Sequence, residues 1–483
     1  MMKLLDLQRC CTGATLQGNQ ETQITDICFD SRKAGPGALY VCIPGTKVDG
    51  HAYAAQAAER GAAALVVERL LPEIDLPQVL VGDSREAFAY MAAAFHGNPA
   101  QKMSIIGITG TNGKTTTTYL LKAIFEAAGE KVGLMGTIAT LVGDEVLPQS
   151  LTTPDPMEFH AALRRMADAG CRRVVMEVSA HALALRKMAG VVFDVAVFSN
   201  LTQDHLDDFK TMENYRAAKA QLFADSMSRA AVLNADDASA ALIASDFHGQ
   251  RLWYGLAEKA QLRATAVDIR PDGVSFTMNY EGRALPVELG LSGHFNVSNA
   301  LSAAGAALLL GVGLDAVARG LHSVHSMNGR MERVDHPHGF TVLVDYAHTP
   351  DSLENLLKAA RALTNKRILL VFGCGGDRDR TKRPIMGRIA ARMADFSIIT
   401  SDNPRTEDPR SIVDAIEVGA RDGGKPYLKI VDREAAIEAA IKAAACGDVV
   451  LIAGKGHETY QDAMGIKRHF DDREMARKYL DRL

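Results

Sequence analysis

Short apolar runs rich in β-branched residues alternate with alanine-rich helical stretches from one end of the chain to the other. This alternation is typical of α/β domains with largely parallel sheets. In one-letter code, the runs that we assign to strands are ITDICFD, AALVVE, MSIIGIT, RRVVMEV, FDVAVFS, TVLVDYA, RILLVFG, FSIIT and VVLIAG. The pattern therefore predicts an α/β fold throughout.

Two polar, turn-rich segments interrupt the alternation and are candidate domain boundaries. One is HGNPAQKM near residue 100, and the other is SMNGRMERVDHPHG near residue 333. A chain of 483 residues is too long for a single hydrophobic core. At roughly 150 residues per domain, about three domains are expected. We predict domains at residues 1–100, 101–333 and 334–483.

Composition and charge exclude several classes of protein. With 47% hydrophobic and 23% charged residues, the composition is that of an ordinary globular protein. The formal charge of -4 gives no overall positive charge that would attract nucleic acid or an anionic membrane. The first residues do not form the apolar run of a signal sequence, because they are interrupted by Asp6, Gln8 and Arg9. The longest apolar stretches are far too short to span a membrane. The seven cysteines contain no Cys-x-x-Cys pair, so neither a disulfide framework nor a zinc site is indicated. We expect a cytoplasmic monomer.

The stretch GITGTNGKTTTT, at residues 107–118, contains a candidate phosphate loop. A strict search for Gly, four residues and Gly-Lys-Ser/Thr fails, but the strand MSIIGIT precedes the loop and a helix ending at Gly129 follows it. Glycine-rich backbone at a helix start lets N–H groups converge on phosphate oxygens. Lys114 would reach the β and γ phosphates, and Thr115 would hold Mg²⁺. The alternative is a glycine-rich turn with a surface lysine.

This variant of the loop resembles the Mur ligase family, which also includes folylpolyglutamate synthases. Further matching stretches are LTTPDP at 151, MEVSAHAL at 176, SNLTQDHLD at 199, YRAAKAQLF at 215, HFNVSNALSA at 294, GRMERV at 329, DYAHTPDSL at 345 and GCGGDRDRTKRP at 373. The resemblance runs from residue 30 to 460. It implies a small α/β uridine-binding domain, a central parallel-sheet domain like the P-loop ATPases, and a C-terminal Rossmann-like domain.

The resemblance also implies an ATP-dependent amide ligase with Mg²⁺. ATP converts a substrate carboxylate into an acyl phosphate, which an incoming amine then attacks. Placing two anionic reactants and excluding water would supply most of the acceleration. By the resemblance, the ATP-binding residues are Gly110, Thr111, Asn112, Gly113, Lys114, Thr115, Thr116, Asn299, Arg330 and Asp345.

Four residues resemble the catalytic set of the family: Lys114, Glu177, His205 and Lys219. Glu177 ends one predicted strand and His205 follows the next, where ligands gather in open α/β sheets. Lys219 resembles a lysine that reacts with carbon dioxide, and the carbamate then contributes to the metal site. The implied metal ligands are Thr115, Glu177, His205 and Lys219 as carbamate. From the residues alone, Glu177 could equally be a helix cap, His205 a structural histidine and Lys219 a solvated charge.

A third set resembles the pocket for the UDP-muramoyl dipeptide: Ser31, Thr152, Thr153, Ser179 and Lys187. The chain departs from the family here, because Ala180 replaces a serine and Leu185 stands where glutamine is often found. Lys187 stands where an arginine belongs, so the bidentate fork is lost although the charge is kept. Either Lys187 or Arg186 would then make the muramoyl contact.

The stretch SDNPRTEDP carries the choice of amine. In the family, Asp-Asn-Pro-Arg marks the members that add meso-diaminopimelate, and the lysine-adding members lack the arginine. The guanidinium of Arg405 can clamp the distal carboxylate of diaminopimelate, a group that lysine lacks. The implied diaminopimelate-binding residues are Arg378, Asp402, Asn403, Pro404, Arg405, Gly454 and Glu458. The implied acceptor is UDP-N-acetylmuramoyl-L-alanyl-D-glutamate.

Three alternatives remain open at this stage. A lysine-adding homologue differs only in the amine, and a folylpolyglutamate synthase is disfavoured by the stretch DSRKAGPGALYV, which resembles a uridine-binding domain. A nucleotide-hydrolysing switch that works by binding partners is the alternative from another class. The guanine-reading pattern Asn-Lys-x-Asp of such switches is absent from the sequence.

Overall fold

The computed structural model describes residues 1–45, 48–148, 151–270 and 272–483. It contains three main β-sheets, which follow one another along the chain and are covered by helices. Each of the nine apolar runs contains a strand, which confirms the α/β prediction. Within the described residues, no helix combines the length and the apolar character that crossing a membrane would require.

The first domain is built on a five-stranded sheet in the order β2-β7-β6-β5-β4, in which only β2 runs antiparallel to its neighbour. The strands are β1 (Met2–Lys3), β2 (Thr15–Gln17), β3 (Gln23–Ile24), β4 (Asp26–Cys28), β5 (Ala38–Val41), β6 (Ala64–Val67) and β7 (Gln78–Leu80). The helices are α1 (Leu4–Gln8), α2 (Ala54–Glu59) and α3 (Ser84–Phe95). Helix α3 begins after Asp83, whose carboxylate accepts the N–H groups of Arg85 and Glu86.

The central domain contains an eleven-stranded sheet in the order β11-β10-β9-β12-β8-β13-β14-β15-β16-β17-β18. The strands are β8 (Ser104–Thr109), β9 (Val132–Met135), β10 (Thr140–Val142), β11 (Glu145–Leu147), β12 (Arg173–Glu177), β13 (Phe193–Phe198), β14 (Ser228–Asn234), β15 (Gln250–Gly255), β16 (Leu262–Arg270), β17 (Gly273–Tyr280) and β18 (Arg283–Leu289). The helices are α4 (Lys114–Ala127), α5 (Pro156–Asp168), α6 (Ala180–Ala184), α7 (Leu206–Phe209), α8 (Met212–Ala220), α9 (Ser239–Ile243), α10 (His294–Leu309) and α11 (Leu314–His322).

The middle of this sheet is parallel, as the sequence predicts, but both of its edges are antiparallel. Strands β10 and β11 extend one edge, and β17 and β18 extend the other. The apolar runs do not reveal these strands, because each strand includes half-buried or exposed positions and none is buried along its whole length. The sheet is therefore largely parallel, as the pattern predicts, and the antiparallel strands at its two edges are a detail that the pattern does not show.

The C-terminal domain contains a six-stranded sheet in the order β19-β20-β24-β21-β22-β23, parallel except for β19. The strands are β19 (Glu332–Arg333), β20 (Thr341–Asp345), β21 (Ile368–Phe372), β22 (Phe396–Ile399), β23 (Tyr427–Lys429), β24 (Val449–Ala453), β25 (Tyr460–Ala463) and β26 (Ile466–His469). The helices are α12 (Pro350–Leu363), α13 (Lys382–Met393), α14 (Pro409–Ala420), α15 (Arg433–Ala443) and α16 (Asp472–Leu480). Because β19 pairs with β20, this sheet begins two residues before the predicted domain start at 334. The domain limits themselves stay a prediction.

The carboxyl ends of the parallel strands in the second and third sheets face a common cleft. In open α/β sheets, this is the end at which ligands bind. The loops after β8, β12 and β13 come from the central domain, and those after β20, β21, β22 and β24 come from the C-terminal domain. The fold therefore brings together stretches of sequence that lie up to about 350 residues apart.

Candidate active site

The predicted phosphate loop joins β8 to α4 and has the backbone geometry of an anion site. Gly110 and Gly113 have φ angles of 148° and 86°, which side-chain-bearing residues rarely adopt. A Cβ at Gly110 would collide with Ser199 Oγ, and one at Gly113 would collide with Asn299 Oδ1. Helix α4 begins at Lys114, and the N–H groups of a first helical turn have no partners within the helix. These groups are a suitable binding site for phosphate.

Contacts from two domains hold this loop. The amide of Thr111 donates to the Asn200 carbonyl and the amide of Asn112 donates to Asn200 Oδ1, both at 2.9 Å. The side chain of Asn112 donates to Asp351 of α12 at 2.7 Å. Neither Asn200 nor Asp351 was predicted to have a role, although both lie in stretches that resemble the family. The signal was available, because both are polar residues near the carboxyl end of a predicted strand.

A cavity beside the phosphate loop is shared by the central and C-terminal domains. Six of the residues predicted to bind ATP lie on its walls: Asn112, Gly113, Thr116, Asn299, Arg330 and Asp345. The structure adds Asn200, Phe295, Tyr346, His348, Asp351 and Asn355 to these walls. The cavity therefore combines a phosphate-binding loop with aromatic and amide side chains that suit a nucleotide.

Arg330 and Asp345 form the C-terminal side of this cavity. The guanidinium of Arg330 donates to Thr115 Oγ1 at 3.1 Å and lies 4.8 Å from the centre of the Tyr346 ring. The Asp345 carboxylate accepts the amides of Met331 and Ala347, each at 2.7 Å. Burial raises the pKa of Asp345 above its ordinary value. Both side chains are thus held by the protein and face the phosphate loop.

Two lysine ammonium groups converge on one carbonyl oxygen of the phosphate loop. Lys114 Nζ donates to the carbonyls of Gly110 and Thr111 at 2.9 and 2.8 Å, and Lys219 Nζ donates to the same Gly110 carbonyl at 2.8 Å. Lys219 is only 1% exposed. Its pKa lies well below the ordinary lysine value, because burial disfavours the charged form and the charge of Lys114 adds repulsion. Lys219 is therefore not the solvated surface charge that helical spacing alone would suggest.

Glu177 and His205 lie near the carboxyl ends of two strands of the central sheet. The Glu177 carboxylate accepts the amide of Thr137 at 2.7 Å and its hydroxyl at 3.0 Å. His205 has a φ of 57°, and its ring lies 4.9 Å from the ring of His181. Burial is the main cause that lowers the pKa of His205 to about 3, so the imidazole is neutral.

The predicted magnesium ligands lie in a part of the chain that the structure describes. Within it, no three His, Cys, Asp or Glu side chains are grouped so that they could hold a metal ion by themselves. The predicted set of Thr115, Glu177, His205 and carbamylated Lys219 does not require such a group. It relies on a hydroxyl, one carboxylate, one imidazole and a modified amine, and Mg²⁺ keeps several waters or phosphate oxygens in most protein sites.

A second, larger cleft joins the phosphate loop to both predicted substrate pockets. From the central domain it is lined by Thr111, Lys114, Thr152, Thr153, Ser179, Lys187 and His205. From the C-terminal domain it is lined by Arg378, Asp402, Asn403, Arg405, Gly454 and Glu458. Gly110, Thr115, Glu177, Lys219 and Pro404 lie beside these walls or within the loops that carry them. The residues predicted for three ligands thus meet around one space.

The wall nearest the first domain differs in part from the prediction. Lys187 lines the cleft and forms an ion pair with Asp155 at 2.7 Å. Arg186 instead contacts Asp83, which precedes α3, and Glu86 of α3, at 3.2 and 2.9 Å, so it joins two domains and is not on the cleft wall. Of the two residues considered for the muramoyl contact, Lys187 lines the cleft and Arg186 does not.

Ser31 lies in the first domain, away from the walls of this cleft. It is buried in the single turn Ser31–Lys33, and its hydroxyl donates to Gln56 Oε1 at 2.7 Å. The structure therefore does not bring Ser31 together with the other predicted residues. A role for Ser31 would require a ligand that extends from the cleft to the first domain, as a nucleotide-linked substrate could.

At one end of the cleft, which we call the amino acid end, the residues predicted to bind diaminopimelate form a network of side chains. Asn403 Nδ2 donates to Glu458 Oε2 at 2.8 Å, and Lys455 Nζ donates to Asn403 Oδ1 at 3.0 Å and to Glu458 Oε2 at 3.2 Å. Burial, together with the charge of Asp402, raises the pKa of Glu458. Arg405 donates to the Gly376 carbonyl at 2.6 Å. Lys455 is fully buried and is not among the residues predicted from the sequence.

An ion pair on the cleft wall links the central and C-terminal domains. Lys382 Nζ, at the start of α13, lies 3.5 Å from Asp204 Oδ1, and both side chains are buried. The neighbouring Gln203 donates to Thr381 Oγ1 at 2.9 Å. Because Asp204 precedes His205 in the chain, this pair places the C-terminal domain directly against the candidate catalytic residues. The pairing of Lys382 with Asp204 was not predicted from the sequence, because the two residues come together only when the chain folds.

Comparison with protein families identifies three consecutive matches. Residues 23–96 match "Mur ligase family, catalytic domain", residues 108–307 match "Mur ligase middle domain", and residues 329–456 match "Mur ligase, glutamate ligase domain". These three matched regions follow the order of the three sheets.

Individual relatives cover almost the whole chain. The chain is 46% identical, over 99% of both sequences, to the UDP-N-acetylmuramoyl-L-alanyl-D-glutamate--2,6-diaminopimelate ligase of Geobacillus thermodenitrificans. It is 45% identical, over 99% of both, to the ligase of the same name from Geobacillus kaustophilus. A solved structure of a ligase with this name is 32% identical, covers 100% of this chain and 99% of its own, and superposes with a TM-score of 0.70.

Proposed function

This chain belongs to the Mur ligase family, and on that premise we propose that it is the ligase that joins meso-diaminopimelate to UDP-N-acetylmuramoyl-L-alanyl-D-glutamate, a step of peptidoglycan synthesis. ATP drives the formation of the new amide bond. The observation that carries the proposal is the shared cleft, in which Lys114, Ser179 and Arg405 line the same space. Each of these residues belongs to the predicted site of a different reactant.

The reaction has two steps that this cleft can support. An oxygen of the D-glutamate side-chain carboxylate forms a bond to the γ-phosphorus of ATP while the bond to the bridging oxygen of ADP breaks. The diaminopimelate amine then forms a bond to the carbonyl carbon, phosphate leaves, and the amine loses a proton. Lys114 and the first-turn amides of α4 stabilise the phosphate charge, and the buried cleft walls limit access of water to the acyl phosphate.

The residues beside the phosphate loop fit Mg²⁺. The Thr115 hydroxyl and Glu177 carboxylate are hard oxygen donors, and the neutral imidazole of His205 can act as a ligand. When bound, Mg²⁺ would neutralise phosphate charge. Lys219 suits carbamylation because its depressed pKa favours the neutral amine, which is the nucleophilic form. The neutral amine nitrogen would bond to carbon dioxide and release a proton, which leaves an anionic carbamate beside the positive charge of Lys114.

The amino acid end of the cleft fits a substrate whose distal end carries both a carboxylate and an ammonium group. The planar fork of Arg405 binds a carboxylate bidentately, and the Glu458 carboxylate attracts an ammonium group. Lysine has the distal ammonium but lacks the carboxylate, so Arg405 would face a like charge without a partner. We therefore propose diaminopimelate as the amine, in preference to lysine.

One assay tests the whole proposal. Purified protein is mixed with ATP, Mg²⁺, the UDP-muramoyl dipeptide and a panel of free amino acids, and ADP release is measured together with product mass. We expect ADP release in equal amount to amide product, only when the dipeptide and meso-diaminopimelate are both present. Equal use of L-lysine would refute the choice of amine. ADP release without either substrate would instead support a nucleotide-hydrolysing switch.

A further inference from the structure

A small hairpin at the edge of the C-terminal domain lies outside the active site described above. Strands β25 and β26 are joined by Met464 and Gly465, whose φ angles are 53° and 76°. All four residues of β26 are exposed, and Met464 is 72% exposed. None of the hairpin residues is among the described residues that line the substrate cleft. A two-stranded hairpin of this kind is only marginally stable by itself, so its ordering depends on what it packs against.

The hairpin is joined to the amine-choice loop, residues 402–405, by four hydrogen bonds. The donors and acceptors are Gln461 Nε2 to the Asp402 carbonyl at 2.8 Å, the Asp462 amide to Asn403 Oδ1 at 3.0 Å, the Arg405 amide to the Asp462 carbonyl at 3.0 Å, and the Met464 amide to the Arg405 carbonyl at 2.6 Å. Two of the four bonds involve the backbone of Arg405 itself. Three of the loop residues, Asp402, Asn403 and Arg405, are therefore bonded directly to the hairpin.

Arg405 needs such support because its backbone conformation is unfavourable. Its φ angle is 51°, in the left-handed region that residues other than glycine seldom occupy. A conformation of this kind persists only where the surrounding structure fixes it, and it is concentrated at functional sites. The hairpin fixes it from both sides of the residue, through the Arg405 amide and the Arg405 carbonyl. The guanidinium can then reach the Gly376 carbonyl and the cleft.

We propose that the β25–β26 hairpin is a specificity-determining element, which holds Arg405 in the conformation that clamps the distal carboxylate of the amino acid. This inference rests on the proposed function, because it assumes that Arg405 binds that carboxylate. It extends the amine-choice machinery to residues that touch neither the substrate nor the cleft. Selection of the amino acid then depends on the turn at Met464 as well as on the residues of the pocket.

The test compares two substitutions at Met464 in the full-length protein. Met464→Pro removes the N–H that donates to Arg405 and forces φ to a negative value. Met464→Gly keeps the N–H and accepts the positive φ. For Met464→Pro we expect the KM for meso-diaminopimelate to rise about tenfold or more, with the KM values for ATP and the UDP-dipeptide within about twofold of wild type. Met464→Gly should behave as wild type.

A second variant covers the possibility that the proline destabilises the whole domain. Gln461→Met removes a single bond to the Asp402 carbonyl and keeps the backbone intact, and we expect the KM for diaminopimelate to rise about threefold. A purely structural role would lower the thermal unfolding midpoint and change all three KM values together. That outcome, or a Met464→Pro enzyme with an unchanged KM for diaminopimelate, would overturn the inference.

The same measurements separate this inference from the proposed function. If wild-type protein couples diaminopimelate and Arg405→Ala loses that ability while Met464→Pro keeps it, the function stands and the hairpin has no role in specificity. If wild-type protein does not couple diaminopimelate at all, the proposed function fails, and the hairpin inference fails with it.

Discussion

The two ends of the substrate cleft are built in different ways. At the phosphate end, the binding groups come from consecutive residues, 110–116, and consist largely of backbone N–H groups, glycines and a helix start. At the amino acid end, the binding groups are side chains from three separate stretches, at 378, 402–405 and 454–458. The first end presents mainly groups of one short loop, which Asn200 and Asp351 hold from outside, whereas the second is a network of side chains that includes Lys455 and is bonded to the hairpin.

This difference separates two tasks of the enzyme. Phosphate recognition uses main-chain groups that every residue possesses, so a short glycine pattern is enough to encode it. Recognition of one amino acid requires a long arginine side chain to be held in one orientation, which a local sequence pattern cannot do by itself. Changes at the phosphate end should therefore affect turnover with any amine, whereas changes at the amino acid end should affect only the choice of amine.

The largest effect is expected from Lys219→Ala at the phosphate end. We expect turnover to fall by about 10³-fold, with every amino acid tested, because the carbamate would support phosphoryl transfer and not amine selection. ADP release measures the loss, and partial recovery with added formate or acetate would support the carbamate. Lys259→Ala, at an exposed lysine of the same domain, is the control. A Lys219→Ala enzyme that turns over at the wild-type rate would contradict the role.

A smaller and more selective effect is expected from Arg405→Lys. Loss of the bidentate fork should lower kcat/KM for meso-diaminopimelate by about 10²-fold, while the KM for ATP stays unchanged. Steady-state kinetics with diaminopimelate and with L-lysine would measure both the loss and the change in preference. Arg410→Lys, at an exposed position on α14, is the matched control. If the two variants had the same amino acid preference as wild type, the pocket would be wrongly assigned.

The smallest loss of activity is expected from changes to the ion pair of Asp204 and Lys382, which links the central and C-terminal domains. Asp204→Asn and Lys382→Met should each lower kcat about tenfold, because each leaves a buried charge or polar group without its partner across the domain boundary. In a double-mutant cycle, the combined variant should lose no more than either single variant. Additive losses would show that the two residues act independently and that the pair does not couple the two domains.

The sequence identified much of this protein correctly. The nine apolar runs, the α/β class and the family are confirmed by the strands and by the matches along the chain. These features are local, since a buried strand and a glycine loop are each encoded by a few neighbouring residues. The antiparallel strand β18 was missed, because its alternating pattern lacks a continuous apolar run. The individual site roles, the domain limits, the monomeric state and the cytoplasmic location stay predictions.

The sequence by itself determined the α/β architecture and the family, and it supplied the predictions of a phosphate loop and of an Asp-Asn-Pro-Arg loop for diaminopimelate. Only the tertiary structure decided that Lys187 and not Arg186 reaches the cleft, that Lys219 is buried beside Lys114, and that a distant hairpin supports Arg405. The physical reason is that desolvation and orientation depend on neighbours brought together by folding. A sequence motif specifies which groups are present, and the packing around them decides their charge and direction.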